Sequence, residues 1–322
     1  MTFKTLVRRA LALTLAVASS MAFAQGTPLT LLVGTPAGGT ADSLARLLAQ
    51  RLPDLLGRPV VVENKVGALG ALAVREVVNA PPGRPVYVVA PFTNVLFPSL
   101  TQSSLKIDPF KDVQAVASLA SFPIGVAVST SIGVTTPKQL EAWMRKNAEK
   151  AQVGMGGLGG QTHFLGLQLG QAVGVDATVI PYKGNAPLIT DLMAGHVPIG
   201  VLVAGEVKPF AIDSRIRLIG MLTPKRSPLA PETPTFVEQG VAVDSGESWF
   251  GMWTTPSQPQ AEVQKVEQAV RKILESRDVQ EALAGRHALV ADFRSAADTA
   301  ARLHRESDRW TPTIKASGFK AD

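Results

Sequence analysis

Short apolar runs separated by amphipathic segments are the dominant pattern along this chain. Three runs in its first third, each bounded by turn residues, predict buried strands at 29–33, 58–64 and 85–89. Between the first two runs, Leu44, Leu47 and Leu48 recur on one face of a predicted helix. Strands that alternate with helices at this spacing predict an α/β fold with parallel strand pairs.

The same alternation continues through the rest of the chain. One strand region is predicted to begin at 115–118 and to run through 124–128, and further strands are predicted at 151–155, 177–180, 199–203, 216–222 and 249–253. Thr136 as N-cap, Pro137 at the first position and Gln139 closing a capping box predict a helix that follows the strand at 124–128. Apolar residues at helical spacing over 263–273 and 295–310 predict two more helices.

Two strand–loop–helix units with glycine-rich loops lie about 120 residues apart. The first loop is Thr35-Pro36-Ala37-Gly38-Gly39-Thr40-Ala41-Asp42, and the second is Gly156-Gly157-Leu158-Gly159-Gly160-Gln161-Thr162-His163. Glycine lets a backbone approach a ligand closely, and a helix start offers unpaired N–H groups with partial positive charge. Because the first loop has no Lys or Arg, backbone groups would hold any anion there. This favours a small carboxylate over a nucleotide polyphosphate.

A glycine-rich turn before a helix is also a common connector in α/β proteins, and the first loop alone fits either role. The repeat of the unit favours ligand binding, because two similar halves that face each other would place two helix N-termini in one cleft. Tyr182-Lys183-Gly184 has the same two interpretations, as a plain turn before a helix or as part of the cleft wall.

The first residues are typical of an export signal. A basic start with Arg8 and Arg9 precedes an apolar run at 10–17, and Ala22-Phe23-Ala24 is a small-x-small cleavage sequence. We therefore expect a signal peptide at 1–24, cleaved after Ala24, and a periplasmic location.

Composition narrows the classes of function. The 322 residues carry a net charge of +6, with 46% hydrophobic and 18% charged residues. Such a mild charge argues against nucleic acid as a partner, and the hydrophobic fraction indicates a substantial core. The chain has no Cys, which excludes a disulfide and a cysteine nucleophile.

Patterns for catalysis, metals and cofactors are weak. Ser248 lacks the second glycine of a nucleophile elbow, and the four histidines are far apart without a partner at metal-ligand spacing. Gly154, Gly156 and Gly159 match a dinucleotide fingerprint, but the acidic residue expected about 20 positions later is not at a strand end. We predict no catalytic residue, no metal and no cofactor. His163 either lines the site or packs locally.

An ordered set of motifs runs through the chain, at 35–42, 60–64, 108–113, 156–163, 181–184, 225–228, 234–240 and 248–251. This set resembles the Bug/TctC family, the periplasmic solute-binding proteins of tripartite tricarboxylate transporters. The resemblance implies an α/β, two-domain periplasmic-binding-protein (Venus-flytrap) fold, in which each domain is a mainly parallel sheet flanked by helices. We place residues 25–125 plus 245–322 in one domain and 126–244 in the other.

The resemblance implies a non-catalytic receptor that binds a small organic carboxylate, largely through backbone N–H groups and ordered water at the two loops. Such a receptor delivers its ligand to the integral-membrane permease subunits of a transporter, and we expect a monomer. The predicted ligand-binding residues are Pro36, Ala37, Gly38, Gly39, Thr40, Asp42, Thr93, Gly157, Gly160, Gln161, Thr162, His163, Tyr182, Lys183, Gly184 and Leu202. Two alternatives stay open: an exported α/β enzyme that uses Ser248 or His163 on a small carboxylate, and a sensor subunit for a membrane kinase.

Several positions depart from the family pattern. Pro36-Ala37 replaces the usual Phe/Pro-Pro, and the loop at 66–70 lacks the usual Pro and one Gly. Phe92 and Leu202-Val203 stand where small or polar residues are usual. These replacements predict a ligand with one carboxylate at the glycine loops and a less polar far end.

Overall fold

The structure is a computed structural model that describes residues 27–207, 209–210 and 215–321. The predicted signal peptide, with its cleavage after Ala24, lies outside the described residues. Within the described ranges, no helix has both the length and the apolar character that crossing a membrane requires.

Eleven strands in the described part of the chain form two sheets. They are β1 (Leu29–Val33), β2 (Val60–Asn64), β3 (Val86–Pro91), β4 (Gln114–Phe122), β5 (Ile124–Ser129), β6 (Gln152–Met155), β7 (Thr178–Pro181), β8 (Ile199–Val203), β9 (Ile216–Met221), β10 (Ser248–Thr254) and β11 (Val290–Arg294). The first sheet has the order β11-β4-β10-β3-β1-β2, and the second has the order β7-β6-β8-β5-β9. Every predicted strand is present. β11 was not predicted, because its apolar and charged residues form no continuous apolar run.

Helices flank both sheets. They are α1 (Thr40–Ala49), α2 (Leu52–Leu56), α3 (Ala71–Val78), α4 (Phe92–Thr101), α5 (Pro137–Lys146), α6 (Gln161–Val173), α7 (Asn185–Ala194), α8 (Ala204–Val207), α9 (Gln260–Leu274), α10 (Arg277–His287) and α11 (Ala296–Ser317). The predicted N-cap is present at the start of α5, where Thr136 Oγ1 accepts the N–H of Gln139. The return bond differs from that of a capping box, because Gln139 Oε1 accepts the N–H of Thr135, one residue before the N-cap. The amphipathic patterns of α9 and α11 place their apolar faces against the first sheet.

The α/β class is as predicted, but both sheets are mixed rather than mainly parallel. β1 pairs in parallel with β2 and β3, and β6 pairs in parallel with β7 and β8. β10 runs antiparallel to β3 and β4, and β5 runs antiparallel to β8 and β9. β11 also runs antiparallel to its neighbour β4. For β5 and β10 the physical reason is the change of sheet. A strand that enters from the other sheet starts in the cleft between the sheets and runs away from it, opposite to the strands that end there.

The two crossing segments lie side by side. The chain leaves the first sheet at Pro123, between β4 and β5, and returns between β9 and β10. Leu222 donates its N–H to the carbonyl of Ile124 at 2.8 Å, and Ser245 Oγ donates to the carbonyl of Leu222 at 2.5 Å. The domain boundaries at 125/126 and 244/245 stay a prediction.

Trp249 of β10 joins several elements of the core. Its fully buried ring stacks on Phe92 of α4 with a centroid distance of 5.4 Å. The guanidinium of Arg302 from α11 lies 4.7 Å from the same ring, and Trp249 Nε1 donates to Glu306 Oε1 at 3.3 Å. Trp249 is therefore a core residue, and one face of it holds a buried cation.

We expect Trp249→Ala to lower the free energy of unfolding by about 3–5 kcal/mol. The substitution leaves a large cavity and removes the ring that contacts the buried charges of Arg302 and Glu306 in α11. Urea unfolding followed by circular dichroism measures this loss. Trp143→Ala, on the half-buried face of α5, is the matched control and should cost clearly less. An equal loss of unfolding free energy in the two variants would contradict the conclusion that Trp249 joins several elements of the core.

Candidate functional site

Strand ends from both sheets surround a cavity of about 520 Å³. The loop after β1 contributes Thr35 and Thr40, and the start of the segment after β6 contributes Gly156. Asn185 follows β7, and Val203 is the last residue of β8. Ligands of open α/β sheets bind outside the carboxyl ends of the strands, and this cavity has that position in two sheets at once.

Asp42 holds the first glycine loop in shape. Its Oδ2 accepts the N–H of Gly38 at 2.9 Å and Nε of Arg46 at 2.8 Å, and its Oδ1 accepts Asn64 Nδ2 at 2.9 Å. The same Asn64 amide donates to the carbonyl of Thr35 at 2.9 Å. The carboxylate is only 2% exposed, and these hydrogen bonds hold the loop in its shape.

These contacts also set the charge of the loop. The hydrogen bond from Arg46 is the largest influence on the Asp42 carboxyl and lowers its pKa to about 2, with further help from Gly38 and Asn64 and against the effect of burial. Asp42 is therefore ionised at neutral pH and neutralises Arg46. The first loop carries no unpaired side-chain charge toward the cavity.

The second glycine loop is held by different contacts. The N–H of Gly159 donates to His163 Nδ1 at 3.2 Å, and the imidazole packs against the rings of Phe164 and Phe319. Burial lowers the pKa of His163, which favours the neutral ring that can accept from Gly159. Of its two interpretations, local packing is the one that the contacts of His163 support.

Three helices begin at the cavity without a side-chain cap. Their N-cap residues are Gly39 before α1, Gly160 before α6 and Gly184 before α7, and all three glycines line the cavity. The first N–H groups of a helix have no intrahelical acceptor and carry partial positive charge. No Lys or Arg among the described residues lines this cavity, so backbone donors supply its anion-binding capacity.

The remaining wall is mostly apolar. It is formed by the side chains of Val66, Leu69, Phe97, Pro98, Phe122, Val203 and Phe250. Glu206 and Asn185 add a polar corner, where Asn185 Nδ2 donates to Glu206 Oε2 at 3.0 Å. A second cavity of about 1230 Å³ shares Thr40, Val203 and Glu206 with the first.

The structure brings only some of the predicted site residues to the cavity wall. The residues that line it are Pro36, Gly39, Thr40, Thr93, Gly160 and Gly184, and Gly38 lines the adjoining cavity. The residues that line neither are Ala37, Asp42, Gly157, Gln161, Thr162, His163, Tyr182, Lys183 and Leu202. Contact of any of these side chains with a ligand stays a prediction.

Several predicted positions at the cavity wall need correction. Leu202 is fully buried in the core that α7 covers, because neighbouring strand residues face opposite ways and Val203 takes the cavity side. Phe92 is fully buried against Trp249 and does not shape the far end of the cavity. The hydroxyl of Tyr182 donates to Asp191 Oδ2 at 2.7 Å, within its own loop and helix.

Sequence reasoning missed the polar residues just beyond the strand ends. Asn94 lies three positions after β3, Asn185 four after β7 and Glu206 three after β8, and all line the cavity. Polar residues at that spacing from a predicted strand end are a signal that would have found them. The turn at 67–70 was also missed as cavity wall. Its residues all have positive φ, and its Gly70 packs against Asn94.

The two residues named for the enzyme alternative do not contact each other. Ser248 is fully buried, and its Oγ donates to Gln161 Oε1 at 2.9 Å. His163 accepts the N–H of Gly159 at its Nδ1, and no hydrogen bond joins it to Ser248 among the described residues. In the described ranges, no group of three or more His, Asp and Glu side chains is arranged to hold a metal ion.

Comparison with known proteins adds evidence from sequence. A family model described as "Tripartite tricarboxylate transporter family receptor", TctC, matches residues 44–319. The UPF0065 protein in the gbd 5′ region of Cupriavidus necator is 30% identical over 257 residues, which are 80% of this chain and 77% of that protein. Protein BugT of Bordetella pertussis is 24% identical over 294 residues, 91% of this chain and 90% of that protein.

Solved structures match over nearly the whole chain. The R. palustris protein Rpa4515 with adipate is 28% identical, with a TM-score of 0.82 over 92% of this chain and 99% of that chain. The periplasmic binding protein BugD is 24% identical, with a TM-score of 0.78 over 91% of this chain and 98% of that chain. At this identity the similarity is evidence for the fold alone. The predicted two-lobed α/β fold of periplasmic binding proteins is thereby confirmed.

Asp42→Asn should remove a pH-dependent part of the stability. The folded-state pKa of about 2 lies below the ordinary value of 3.8, so the stabilisation is present above about pH 4 and is lost as the pH falls toward 2. We expect a difference of about 1–2 kcal/mol at neutral pH, reduced because Arg46 is half exposed. Urea unfolding of both proteins between about pH 2 and pH 7 measures it.

The matched control is Asp54→Asn, which removes an exposed carboxylate from α2 and should change the stability by less than about 0.5 kcal/mol. A constant difference between wild type and Asp42→Asn across this pH range would contradict the prediction.

Proposed function

Since the chain belongs to the TctC receptor family of tripartite tricarboxylate transporters, we propose that this solute-binding receptor takes a small organic carboxylate. The ligand occupies the cavity between the two sheets and is then delivered to the integral-membrane permease subunits of such a transporter. The proposal includes a periplasmic location and a monomeric receptor.

The observation that carries the proposal is the pair of uncapped helix starts, α1 and α6, which follow strands of different sheets and whose N-cap glycines line one cavity. Each follows a glycine-rich loop, so no side chain stands between the backbone N–H groups and the cavity. A carboxylate offers acceptor oxygens and a negative charge, and both are stabilised at a helix start.

Side-chain groups near the first loop fit the same ligand. Thr35 Oγ1 lines the cavity as a buried hydroxyl that has no hydrogen-bond partner among the described residues. It lies close to Gly39, since a Cβ built there would come within 3.3 Å of it. A hydroxyl can donate to a carboxylate oxygen, which would give this buried group the partner that it lacks.

The absence of Lys and Arg from the described wall also affects specificity. A polyphosphate needs several cations to offset its charge, whereas one carboxylate matches the partial charges of two helix starts. The adipate in the R. palustris protein Rpa4515 shows that a structure of this fold holds a carboxylate, and that protein is 28% identical to this chain. Organic acids are therefore the first compounds to test.

Closure of the two lobes is part of the proposal. With the lobes divided at 125/126 and 244/245, the neighbouring crossing segments at Pro123 and Ser245 act as the hinge. A closed cavity excludes water, which strengthens hydrogen bonds between backbone and carboxylate, and the ligand shifts the equilibrium toward the closed state.

Purified protein should gain thermal stability with at least one small carboxylate from a panel of linear acids with different far ends. A ligand that binds only the folded state raises the melting temperature by mass action. Calorimetry then measures the affinity for the compound with the largest shift. Amides and alcohols of the same chain length are the controls and should give no shift. Equal shifts from acids and amides would contradict recognition of the carboxylate.

Gly160→Val and Gly39→Val should each weaken that affinity at least tenfold, because a side chain at these positions covers the helix start. Gly160 has φ of −84°, and a Cβ there meets only the carbonyl of Gly157 at 3.5 Å, so the folded structure can accept the change. Ala148→Val, at an exposed position far from the cavity, is the control. Unchanged affinity in both glycine variants, with unchanged melting temperature, would count against the two loops.

Delivery to a permease requires a test in cells. We expect cells that express the receptor with its transporter to take up the carboxylate identified by calorimetry, and cells with Gly160→Val to take up less. Uptake that does not depend on the receptor would leave the sensor alternative as the better explanation of ligand binding.

A further inference from the structure

The polar corner of the cavity has the wrong sign for an anion. Glu206 lies on the wall that both cavities share, and its Oε2 accepts Asn185 Nδ2 at 3.0 Å. Asn185 Oδ1 is buried and has no donor beside it among the described residues. A carboxylate and an unpaired carbonyl dipole therefore meet at one place, and both are acceptors.

Among the described residues, Arg217 lines the larger cavity together with Glu206, but no ion pair joins the two. Glu206 forms no ion pair in the described part of the chain, and no Lys or Arg there lines the smaller cavity. Burial raises the pKa of Glu206, the direction expected for a carboxylate that is removed from water without a cation. A carboxylate that is withdrawn from water is stabilised by a cation, and no described residue forms an ion pair with Glu206.

We infer that Glu206 and Asn185 form a subsite for an ammonium group, and that the preferred ligand is an amino carboxylate. This inference rests on the proposed function, because the opposite end of the ligand is the carboxylate held at the glycine loops. Amino carboxylates are zwitterions at neutral pH. Their ammonium group has three donors, and Glu206 offers it an opposite charge as well as an acceptor.

The rest of the wall supports a ligand with two polar ends and an apolar middle. Leu69, Phe97 and Phe250 line the cavity and offer no hydrogen bonds to a ligand. A methylene chain fits such a surface. A dicarboxylate would place its second negative charge near Glu206, where like charges repel.

The test uses calorimetry on the full-length mature protein with three matched series of three to eight carbons: unsubstituted fatty acids, ω-amino carboxylates and dicarboxylates. We expect the best amino carboxylate to bind wild type at least tenfold tighter than the fatty acid and the dicarboxylate of the same length. Glu206→Gln keeps the shape and the hydrogen bond from Asn185 but removes the charge. It should lower the affinity for the amino carboxylate at least tenfold and raise the affinity for the dicarboxylate.

Glu149→Gln removes an exposed carboxylate far from the cavity, and it should bind all three series as wild type does. A structural role of Glu206 would instead lower the melting temperature of Glu206→Gln and leave the order of ligands unchanged, which would overturn the inference. Carboxylate binding without preference for the amino series would overturn the inference and keep the proposed function. No binding by any of the three series would overturn both.

Discussion

Unpaired N–H groups at helix starts are the constraint on which the site depends. A buried backbone donor without an acceptor costs free energy, so α1, α6 and α7 can start uncapped only where water or a ligand reaches them. The sheets provide that place, because strands that end at the cleft lead directly into these helices. The strands that change sheet, β5 and β10, run the other way and thereby turn the carboxyl ends of the two sheets toward each other.

The charge near the first helix start is used within the protein. Asp42 and Arg46 neutralise each other, and the Asp42 carboxylate accepts the N–H of Gly38. The later N–H groups of the loop and the helix start do not bond to this carboxylate and can donate into the cavity. Had Asp42 faced the cavity, its negative charge would have opposed the helix dipole. Burying the pair beneath the loop preserves the positive potential and fixes the loop geometry with the same contacts.

The sequence predicts the fold better than it predicts the site. The apolar runs locate ten of the eleven described strands, because each strand core is nearly continuous in apolar residues. The directions of β5 and β10 depend on which sheet each strand joins, and a local pattern does not encode that choice. Which residues line the cavity is harder to predict for a similar reason. Gly39 and Gly160 were found because backbone geometry is local, whereas Leu202 and Val203 differ only in which side of β8 they face.

The two ends of the cavity contribute differently to ligand choice. Helix starts come with the strand–loop–helix architecture, so under the proposed function discrimination among carboxylates falls to the rest of the cavity wall. In this chain one side chain, Glu206, supplies the formal charge of that wall, and Asn185 fixes its position. Replacing a single residue just beyond β8 could thus change which acid is preferred while the backbone clamp stays intact. Under the proposed function, the helix starts account for carboxylate binding, and the residues after the strand ends account for the choice among carboxylates.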